Sequence, residues 1–196
     1  FFEPCPQSDE QALLLTTPQI LTSMPSPTEL KETGLALYRA ERYAEAAGTF
    51  AEAARACEAA GERGAAAEMR NNQCVGLMAV NAWEAALAAV EGTPEVFHAL
   101  GDRMREAQAL ANLAAAHEGL GHVEQAVTLY EQAIDLFGAL GETETRAACF
   151  KKLSALQIKR GQQLQALASM RSGLNLSAEL SAKEKTLKGM LDKAMK

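Results

Sequence analysis

Apolar positions recur along this chain about every 40 residues, and a period of this size is typical of an internal repeat. Four residues stand one period apart and open the pattern: they are Tyr43, Trp83, Val123 and Gln163. Each is followed after three residues by an alanine, and four residues later by a bulky apolar side chain. The alanines are Ala46, Ala86, Ala126 and Ala166, and the bulky residues are Phe50, Val90, Tyr130 and Met170. This regularity predicts stacked copies of one supersecondary unit, because a single copy cannot bury its own apolar face.

Glycines stand where each copy should change direction. Glycine tolerates the left-handed conformation that commonly follows the last turn of a helix, so these residues mark helix ends. Gly61, Gly101 and Gly141 end the second helices, and Gly121 and Gly161 mark the turns between paired helices. The first helices of the four copies are therefore expected at about 27–40, 62–80, 102–120 and 142–160. The second helices are expected at about 44–60, 83–91, 123–140 and 163–178.

Two places carry specific start signals for helices. Ser26 and Glu29 form a capping box around Pro27, which predicts the start of the first helix there. The second copy is irregular, because Gly92, Thr93 and Pro94 fall inside its second helix. With Thr93 as N-cap and Pro94 as first residue, we expect a break and a short new helix from Pro94 to Leu100.

Five of the six prolines lie between Pro4 and Pro27, which separates a leader from the repeats. The predicted organisation is a leader at 1–26, four repeats at 27–66, 67–106, 107–146 and 147–180, and a C-terminal capping helix at 181–196. The leader contains apolar residues that are unusual for a free tail: Leu13, Leu14, Leu15, Ile20 and Leu21. We expect it to cap the first repeat, and the alternative is that it lies in the groove as an internal ligand.

The first residue is Phe1 rather than methionine, so the chain is expected to be a processed or trimmed molecule. Phe1 and Phe2 could mark the end of a removed membrane anchor, which would tether the protein to a membrane. In the chain itself there is no run of about 18 apolar residues, so the sequence predicts no transmembrane helix.

Composition supports the helical interpretation and narrows the function classes. Hydrophobic residues make up 48% of the chain, much of it alanine, and aromatic residues only 5%. The net charge of −6 argues against a general nucleic-acid binder, which would carry a basic face. The four cysteines include no Cys-x-x-Cys pair, so they are predicted to be small buried residues rather than metal ligands or a disulfide framework.

Small residues at two further positions complete a resemblance to the tetratricopeptide repeat family. At the eighth position of the copies stand Gly34, Cys74, Ala114 and Ser154, and at the second small position stand Ala53, Thr93, Ala133 and Gly173. The match covers residues 27–180 and resembles the long-repeat variant seen in members such as the kinesin light chains. The resemblance implies an all-α, right-handed α-solenoid of about four antiparallel helix pairs plus a C-terminal capping helix. HEAT or armadillo repeats have a similar period but would leave the small residues at both crossing positions unexplained.

In this family the first helix of each copy lines a concave face, with its second, fifth, sixth and ninth positions in the groove. The resemblance therefore implies a peptide-binding groove formed by Lys31, Leu35, Glu68, Asn71, Asn72, Val75, Gln108, Asn112, Lys151 and Lys152. Asn72 and Asn112 occupy the same position one period apart. An amide offers both a donor and an acceptor, which suits an extended peptide backbone, although solvated surface amides are the alternative.

Charged residues of the predicted groove bear on the choice of ligand. Lys31 and Asn72 match parts of the clamp with which some relatives hold a chaperone's carboxylates, but Leu35, Gln108 and Asn112 depart from it, so chaperone binding is not predicted. The first helix of the fourth copy has a basic edge formed by Lys151, Lys152 and Lys159. It would favour an acidic ligand segment, or it is simply a solvated face.

The sequence lacks the motifs of catalysis and of metal binding. It contains no His-Glu-x-x-His, phosphate-binding glycine loop or Gly-x-Ser-x-Gly. Of the three histidines, His117 and His122 are five residues apart, which is not the spacing of a ligand pair on one helix face. We therefore predict no enzyme activity, no metal site, no cofactor and no small-molecule substrate.

The functional prediction is a non-catalytic protein-interaction module that binds an extended peptide or a helix of a partner, as an adaptor or assembly scaffold. The alternative is a structural subunit that self-associates as a homo-oligomer or is built into a larger, membrane-associated complex. The expected partner is a protein or peptide, with no nucleic acid and at most an indirect contact with a membrane. The expected location is the cytoplasm, or a membrane surface if a segment before Phe1 is an anchor.

Overall fold

The computed structural model describes residues 25–194, and within that range the chain consists of ten α-helices joined by short turns. In chain order they are α1 (Pro27–Arg39), α2 (Tyr43–Ala59), α3 (Arg63–Ala79), α4 (Trp83–Val90), α5 (Thr93–Leu100), α6 (Arg103–Gly119), α7 (Val123–Leu140), α8 (Thr143–Lys159), α9 (Gln163–Leu176) and α10 (Ala182–Ala194). Successive helices pack on one another in an antiparallel array, with α4 and α5 sharing one place in it, so the predicted all-α solenoid is confirmed. The first helices of the copies are α1, α3, α6 and α8. The leader predictions concern residues that lie mostly outside the described range, and they stay predictions.

The capping box predicted at the start of α1 is present. The Glu29 backbone N–H donates to Ser26 Oγ over 3.3 Å, and the Ser26 N–H donates to Glu29 Oε2 over 2.7 Å. Pro27 occupies the first helical position, where its missing N–H costs nothing. These local signals fix the start of the array.

Seven chain reversals follow one another at even intervals along the array, and each has a residue with positive φ at its centre. These residues are Glu41, Gly61, Asn81, Gly101, Gly121, Gly141 and Gly161. After each one, the next N–H donates to the carbonyl five residues earlier, as from Glu62 to Cys57 and from His122 to His117, both 2.9 Å. This bond satisfies a carbonyl that the helix end leaves free. The five predicted glycine turns are confirmed, and Glu41 and Asn81 adopt the same conformation without being glycine.

The predicted break in the second copy is confirmed, but Thr93 does not cap the new helix. Gly92 has φ 78° and serves as the N-cap, so Thr93 is the first residue of α5. Its hydroxyl donates back to the Val90 carbonyl over 2.8 Å instead of accepting from the helix. Thr93 and Phe97 are buried, and α5 packs against α3 and α6. The two short helices together therefore take the place of one second helix.

The core consists of layers in which small residues let helices approach closely. The alanines of the repeat pattern, Ala46, Ala86, Ala126 and Ala166, are all buried, as are Phe50, Val90 and Tyr130. Gly34 in α1 faces the ring of Phe50, and a Cβ atom added to Gly34 would lie 2.6 Å from Phe50 Cε1. Close packing of this kind explains why the repeat demands a small residue at its eighth position.

At the C-terminal end, α10 packs against α9. Arg171 Nε lies 2.7 Å from Asp192 Oδ1, and Leu191 is buried. Residues 177–181 connect the two helices, so α9 ends two residues before its expected boundary at 178. The role of this segment as a cap, like the repeat boundaries, stays a prediction.

Candidate functional site

The predicted groove residues lie along the first helices of the four copies. Those of α1 and α3 and Asn112 of α6 are half-buried: Lys31, Leu35, Glu68, Asn71, Asn72, Val75 and Asn112. Gln108, Lys151 and Lys152 are exposed. The polar residues of this surface contact one another between neighbouring helices, which determines what each can offer a ligand.

Glu68 of α3 forms ion pairs with one residue of α1 and one residue of α6, and so links the first helices of three successive copies. Lys31 Nζ lies 2.6 Å from Glu68 Oε1, and Arg105 Nη2 lies 3.2 Å from Glu68 Oε2. Arg105 also pairs with Asp102, which caps α6 by accepting from the Arg105 N–H. Arg105 was missed by the sequence analysis because it lies two residues before the numbered start of its copy. Lys31 and Glu68 therefore act first on each other, and a ligand would have to compete with that pairing.

The two asparagines that contact each other are not the pair in equivalent positions. Asn112 Nδ2 donates to Asn71 Oδ1 over 3.0 Å, whereas the equivalent positions of the two copies are those of Asn72 and Asn112. The reason is the stacking offset, which places the fifth position of α3 opposite the sixth position of α6. The Nδ2 group of Asn71 and the Oδ1 atom of Asn112 take no part in this bond, so these are the groups that could hydrogen-bond a peptide backbone.

Glu118 performs a similar joining role further along the array. Lys152 Nζ of α8 lies 3.3 Å from Glu118 Oε2, and the Tyr130 hydroxyl donates to the same carboxylate oxygen over 3.1 Å. Burial, together with the neighbouring Glu118 charge, raises the pKa of Tyr130 well above its usual value. Tyr130 thus remains a protonated donor, and the predicted basic edge is partly neutralised at Lys152.

At the C-terminal end of the array the surface forms a groove, which we call the C-terminal groove. It lies between α8 and α10, has α9 as its floor and has a volume of about 690 Å³. Its apolar walls include Ala147, Ala148, Met170, Leu174, Ala178 and Leu187. Charged groups stand at its margins: Glu144, Lys151, Glu179 and Glu184. A concave, mostly apolar volume with a few polar groups is typical of binding sites.

The C-terminal groove lies in the basic part of an acidic protein. Residues 143–196 contain eleven Lys and Arg but only four Asp and Glu, whereas the whole chain has a net charge of −6. The charged residues of the groove itself are three glutamates and Lys151, so the excess of positive charge lies around the groove rather than in it. Lys151 and Lys152 could be predicted from the sequence, but the groove beside them depends on where α10 packs.

Two histidines meet across a turn, contrary to what their spacing suggested. His117 Nδ1 and His122 Nδ1 lie 3.2 Å apart, because the chain reverses at Gly121 between them. The spacing rule for one helix face does not apply to residues on two helices. Burial and the neighbouring His122 lower the pKa of His117.

The described residues contain no group of three or more His, Cys, Asp and Glu side chains that could hold a metal ion. Cys57, Cys74 and Cys149 are buried free thiols, which confirms that part of the cysteine prediction. None of the helices between residues 25 and 194 is long and apolar enough to cross a bilayer.

Solved structures with similar folds are helical repeat proteins. A putative kinesin light chain of Podosopora anserina, described as having TPR-like repeats, has a TM-score of 0.70 at 15% identity, covering 88% of this chain and 89% of that one. BtubC from P. vanneervenii has a TM-score of 0.68 at 18% identity, covering 85% and 64%. MamA from Desulfovibrio magneticus RS-1 has a TM-score of 0.61 at 17% identity, covering 77% and 75%. At these identities the likeness shows the fold alone.

Comparison at the level of sequence identifies the family. No curated protein sequence matches the chain. The sequence profile described as soluble NSF attachment protein, SNAP, matches residues 28–191, which is most of the chain. The helical array is TPR-like, as the structural neighbours are, and this architecture is typical of protein-interaction scaffolds that are generally non-catalytic. The chain therefore belongs to the soluble NSF attachment protein family.

Proposed function

We propose that the protein is a non-catalytic adaptor or assembly scaffold that binds an amphipathic peptide or helix of a protein partner on its concave surface. The C-terminal groove is the observation that carries this proposal. Its volume of about 690 Å³ lies within the usual range for binding sites, roughly 300–1,000 Å³. Its apolar walls can take up the buried face of an amphipathic segment.

The contacts along the array favour this end of the concave surface. Between α1 and α3, α3 and α6, and α6 and α8, polar side chains already join neighbouring helices. A ligand lying there would have to replace those contacts, which offsets part of what it gains. At the C-terminal groove, by contrast, apolar surface such as Leu187 remains partly exposed.

The charge of the surroundings does not select a ligand of one sign. Lys151 lines the groove together with Glu144, Glu179 and Glu184. The basic residues Lys152 and Lys159 lie on the same helix as Lys151 but outside the groove lining. Exposed charges contribute more to the rate of association and to specificity than to affinity. The preferred ligand is therefore defined by an apolar face that fills the groove, and charged groups at its ends would act mainly on the rate of association.

Two exposed alanines provide a matched test of where the ligand binds. Ala148 lines the C-terminal groove, whereas Ala168 is exposed on α9 about 200° around the helix from Met170 of the groove. Peptides would be selected from a phage-displayed library on the purified protein, and their affinities measured by fluorescence anisotropy. Ala148→Trp should weaken binding at least about tenfold, which is 1.4 kcal/mol, and Ala168→Trp should leave it unchanged.

Both substitutions place the same side chain on an exposed helical position, so a general effect on folding should be equal in the two variants. Circular dichroism would check that both remain helical. If the selected peptides bind Ala148→Trp as well as Ala168→Trp, the C-terminal groove is not the binding site. Binding lost in an Asn71→Ala, Asn112→Ala double variant instead would place the ligand further along the concave surface.

Self-association is the second candidate, and one surface favours it. Leu164 and Leu167 at the start of α9 are 79% and 37% exposed. The residues equivalent to Leu167 in two other copies, Ala47 and Val127, are only 2% and 4% exposed, because the following helix covers them. An uncovered apolar helix face at the end of a repeat array is a candidate contact between subunits.

Sedimentation analysis of the full chain tests this candidate. A Leu164→Lys, Leu167→Lys variant should be monomeric if a wild-type oligomer uses this surface, and Leu100→Lys is the control, since Leu100 is 60% exposed elsewhere. If the wild type sediments as a monomer at about 100 μM, self-association with a dissociation constant below about that concentration is excluded.

A further inference from the structure

His117 and His122 are held face to face by the turn that joins α6 to α7. His117 lies near the end of α6, and His122 directly precedes α7. The Gly121 N–H donates to the Glu118 carbonyl over 3.0 Å, and the His122 N–H donates to the His117 carbonyl over 2.9 Å. The ring centroids are 5.4 Å apart with 49° between the ring planes. The backbone of the turn therefore fixes the positions of both imidazoles.

The separation of the two ring nitrogens matches that of two ligands on one metal ion. His117 Nδ1 and His122 Nδ1 are 3.2 Å apart. Zinc binds histidine nitrogen at about 2.0–2.1 Å, so two such bonds at a tetrahedral angle place the nitrogens about 3.3 Å apart. The two imidazoles could therefore chelate an ion with little movement of the turn.

The charges around the pair also suit a cation. In the metal-free protein one ring donates its Nδ1–H to the Nδ1 of the other ring. When a metal ion binds both Nδ1 atoms, this proton moves by way of solvent to Nε2 of the same ring, which stays neutral. The Glu91 carboxylate lies close enough to His117 to act on it electrostatically, and it would stabilise a positive ion.

We propose that His117 and His122 form a surface site for one divalent transition-metal ion, with zinc as the reference metal, bound through the two Nδ1 atoms. Imidazole is a preferred ligand of zinc, copper and nickel, and much less of calcium or magnesium. His122 is exposed and His117 half-buried, so the remaining coordination positions open to water. A partner side chain could occupy one of them, which would make the turn a metal-dependent contact.

His98 provides a matched control for this site. It is the remaining one of the three histidines of the chain. Its Nδ1 lies 2.9 Å from a carboxylate oxygen of Glu106, so it offers an imidazole beside a carboxylate. Zinc chloride would be titrated into the full chain at pH 7.4 by isothermal calorimetry. NMR detection of the imidazole nitrogens would identify the rings that respond.

We expect saturable binding of one zinc ion per chain that is reversed by a chelator. His117→Gln and His122→Gln should each weaken binding at least about tenfold. Removing a residue that only supports a metal ligand already costs about 10–100-fold in affinity, so removing a ligand should cost no less. His98→Gln should leave the affinity unchanged. Calcium at the same concentration should not compete, because it prefers oxygen ligands to imidazole nitrogen.

Two results would overturn the proposal. One is the absence of saturable zinc binding by wild type at dissociation constants below about 1 mM. The other is a loss in His98→Gln as large as in His117→Gln, which would indicate nonspecific binding to surface imidazoles. His122 is exposed and His117 half-buried, so unchanged circular dichroism spectra of both glutamine variants are needed to show that lost binding is not lost folding.

Discussion

Gly34 and Gly48 offer a matched pair of Gly→Ala substitutions in two adjacent helices. Gly34 lies in α1, where an added Cβ would approach three ring atoms of Phe50 at 2.6, 2.8 and 3.0 Å. Gly48 lies in α2, where the same atom would meet nothing within 4 Å. The two changes therefore have the same chemistry and the same secondary structure but different surroundings.

The expected free energies of unfolding can be estimated from these distances. Alanine is favoured over glycine inside a helix by roughly 0.8–1 kcal/mol, and this gain applies at both positions. At Gly34 the methyl group overpacks the core, which typically costs about 1–3 kcal/mol. Phe50 is only 1% exposed, and three of its ring atoms are involved, so we expect a cost near the upper end. Gly34→Ala should then be destabilised by about 1–2 kcal/mol, and Gly48→Ala stabilised by about 1 kcal/mol.

Thermal and urea unfolding followed by circular dichroism would measure both variants. For a chain of this size each kcal/mol corresponds to a shift of roughly 2–4 °C in Tm, so the two variants should move in opposite directions. Adding Phe50→Leu should recover part of the loss at Gly34, because a smaller side chain relieves the contact, and a double-mutant cycle isolates this coupling. If Gly34→Ala is as stable as Gly48→Ala, the inferred close packing between α1 and Phe50 is wrong.

Three further predictions concern turns, thiols and a helix cap. Replacing Glu41 by glycine should stabilise the protein by about 0.5–1 kcal/mol in urea unfolding, because Glu41 has φ 60° and a glutamate side chain is strained there; Asn81→Gly should gain less, because asparagine tolerates this conformation. Burial raises the pKa of Cys74 to about 12 and of Cys149 to about 11, so both thiols should resist alkylation at pH 8 until the chain unfolds, as peptide mapping by mass spectrometry would show. Asp102→Ala should cost about 1 kcal/mol at pH 7 through loss of the cap to Arg105 N. The hydrogen bond from the Arg105 N–H lowers the pKa of Asp102 in the folded state. The stabilisation by this carboxylate is therefore present at neutral pH and is lost as the pH falls through the lowered pKa. The difference in unfolding free energy between Asp102→Ala and wild type should shrink at pH 3.

The fold could be predicted from the sequence because its main determinants are local and periodic. The alanine and bulky apolar positions fix which helix faces pack, and Gly61, Gly101 and Gly141 mark the turns. The break before α5 was also visible, since Gly92 and Pro94 interrupt a helix wherever they occur. The positive φ of Glu41 could not be read from its residue type, because glutamate rarely adopts it and only the period of the turns demands it.

The candidate site was less predictable because it depends on contacts between copies. Position rules placed Asn71 and Asn112 on the concave surface, but the offset between stacked helices determined that these two amides pair. Arg105 lies outside the numbered positions, and it joins Glu68 only because α3 and α6 are neighbours. The approach of His117 and His122 likewise depends on a chain reversal, which the spacing rule for a single helix face does not describe.

The seven evenly spaced reversals have a consequence for how such an array can change its length. The connections within and between helix pairs share one backbone conformation. If the segment between one reversal and the second reversal after it is removed, the two ends therefore meet in the same backbone geometry. Joining Gly101 directly to Glu142, for example, would remove one whole copy while leaving a left-handed glycine at the joint. Unequal recombination between copies would thus produce shorter or longer arrays in whole units without a new loop having to evolve.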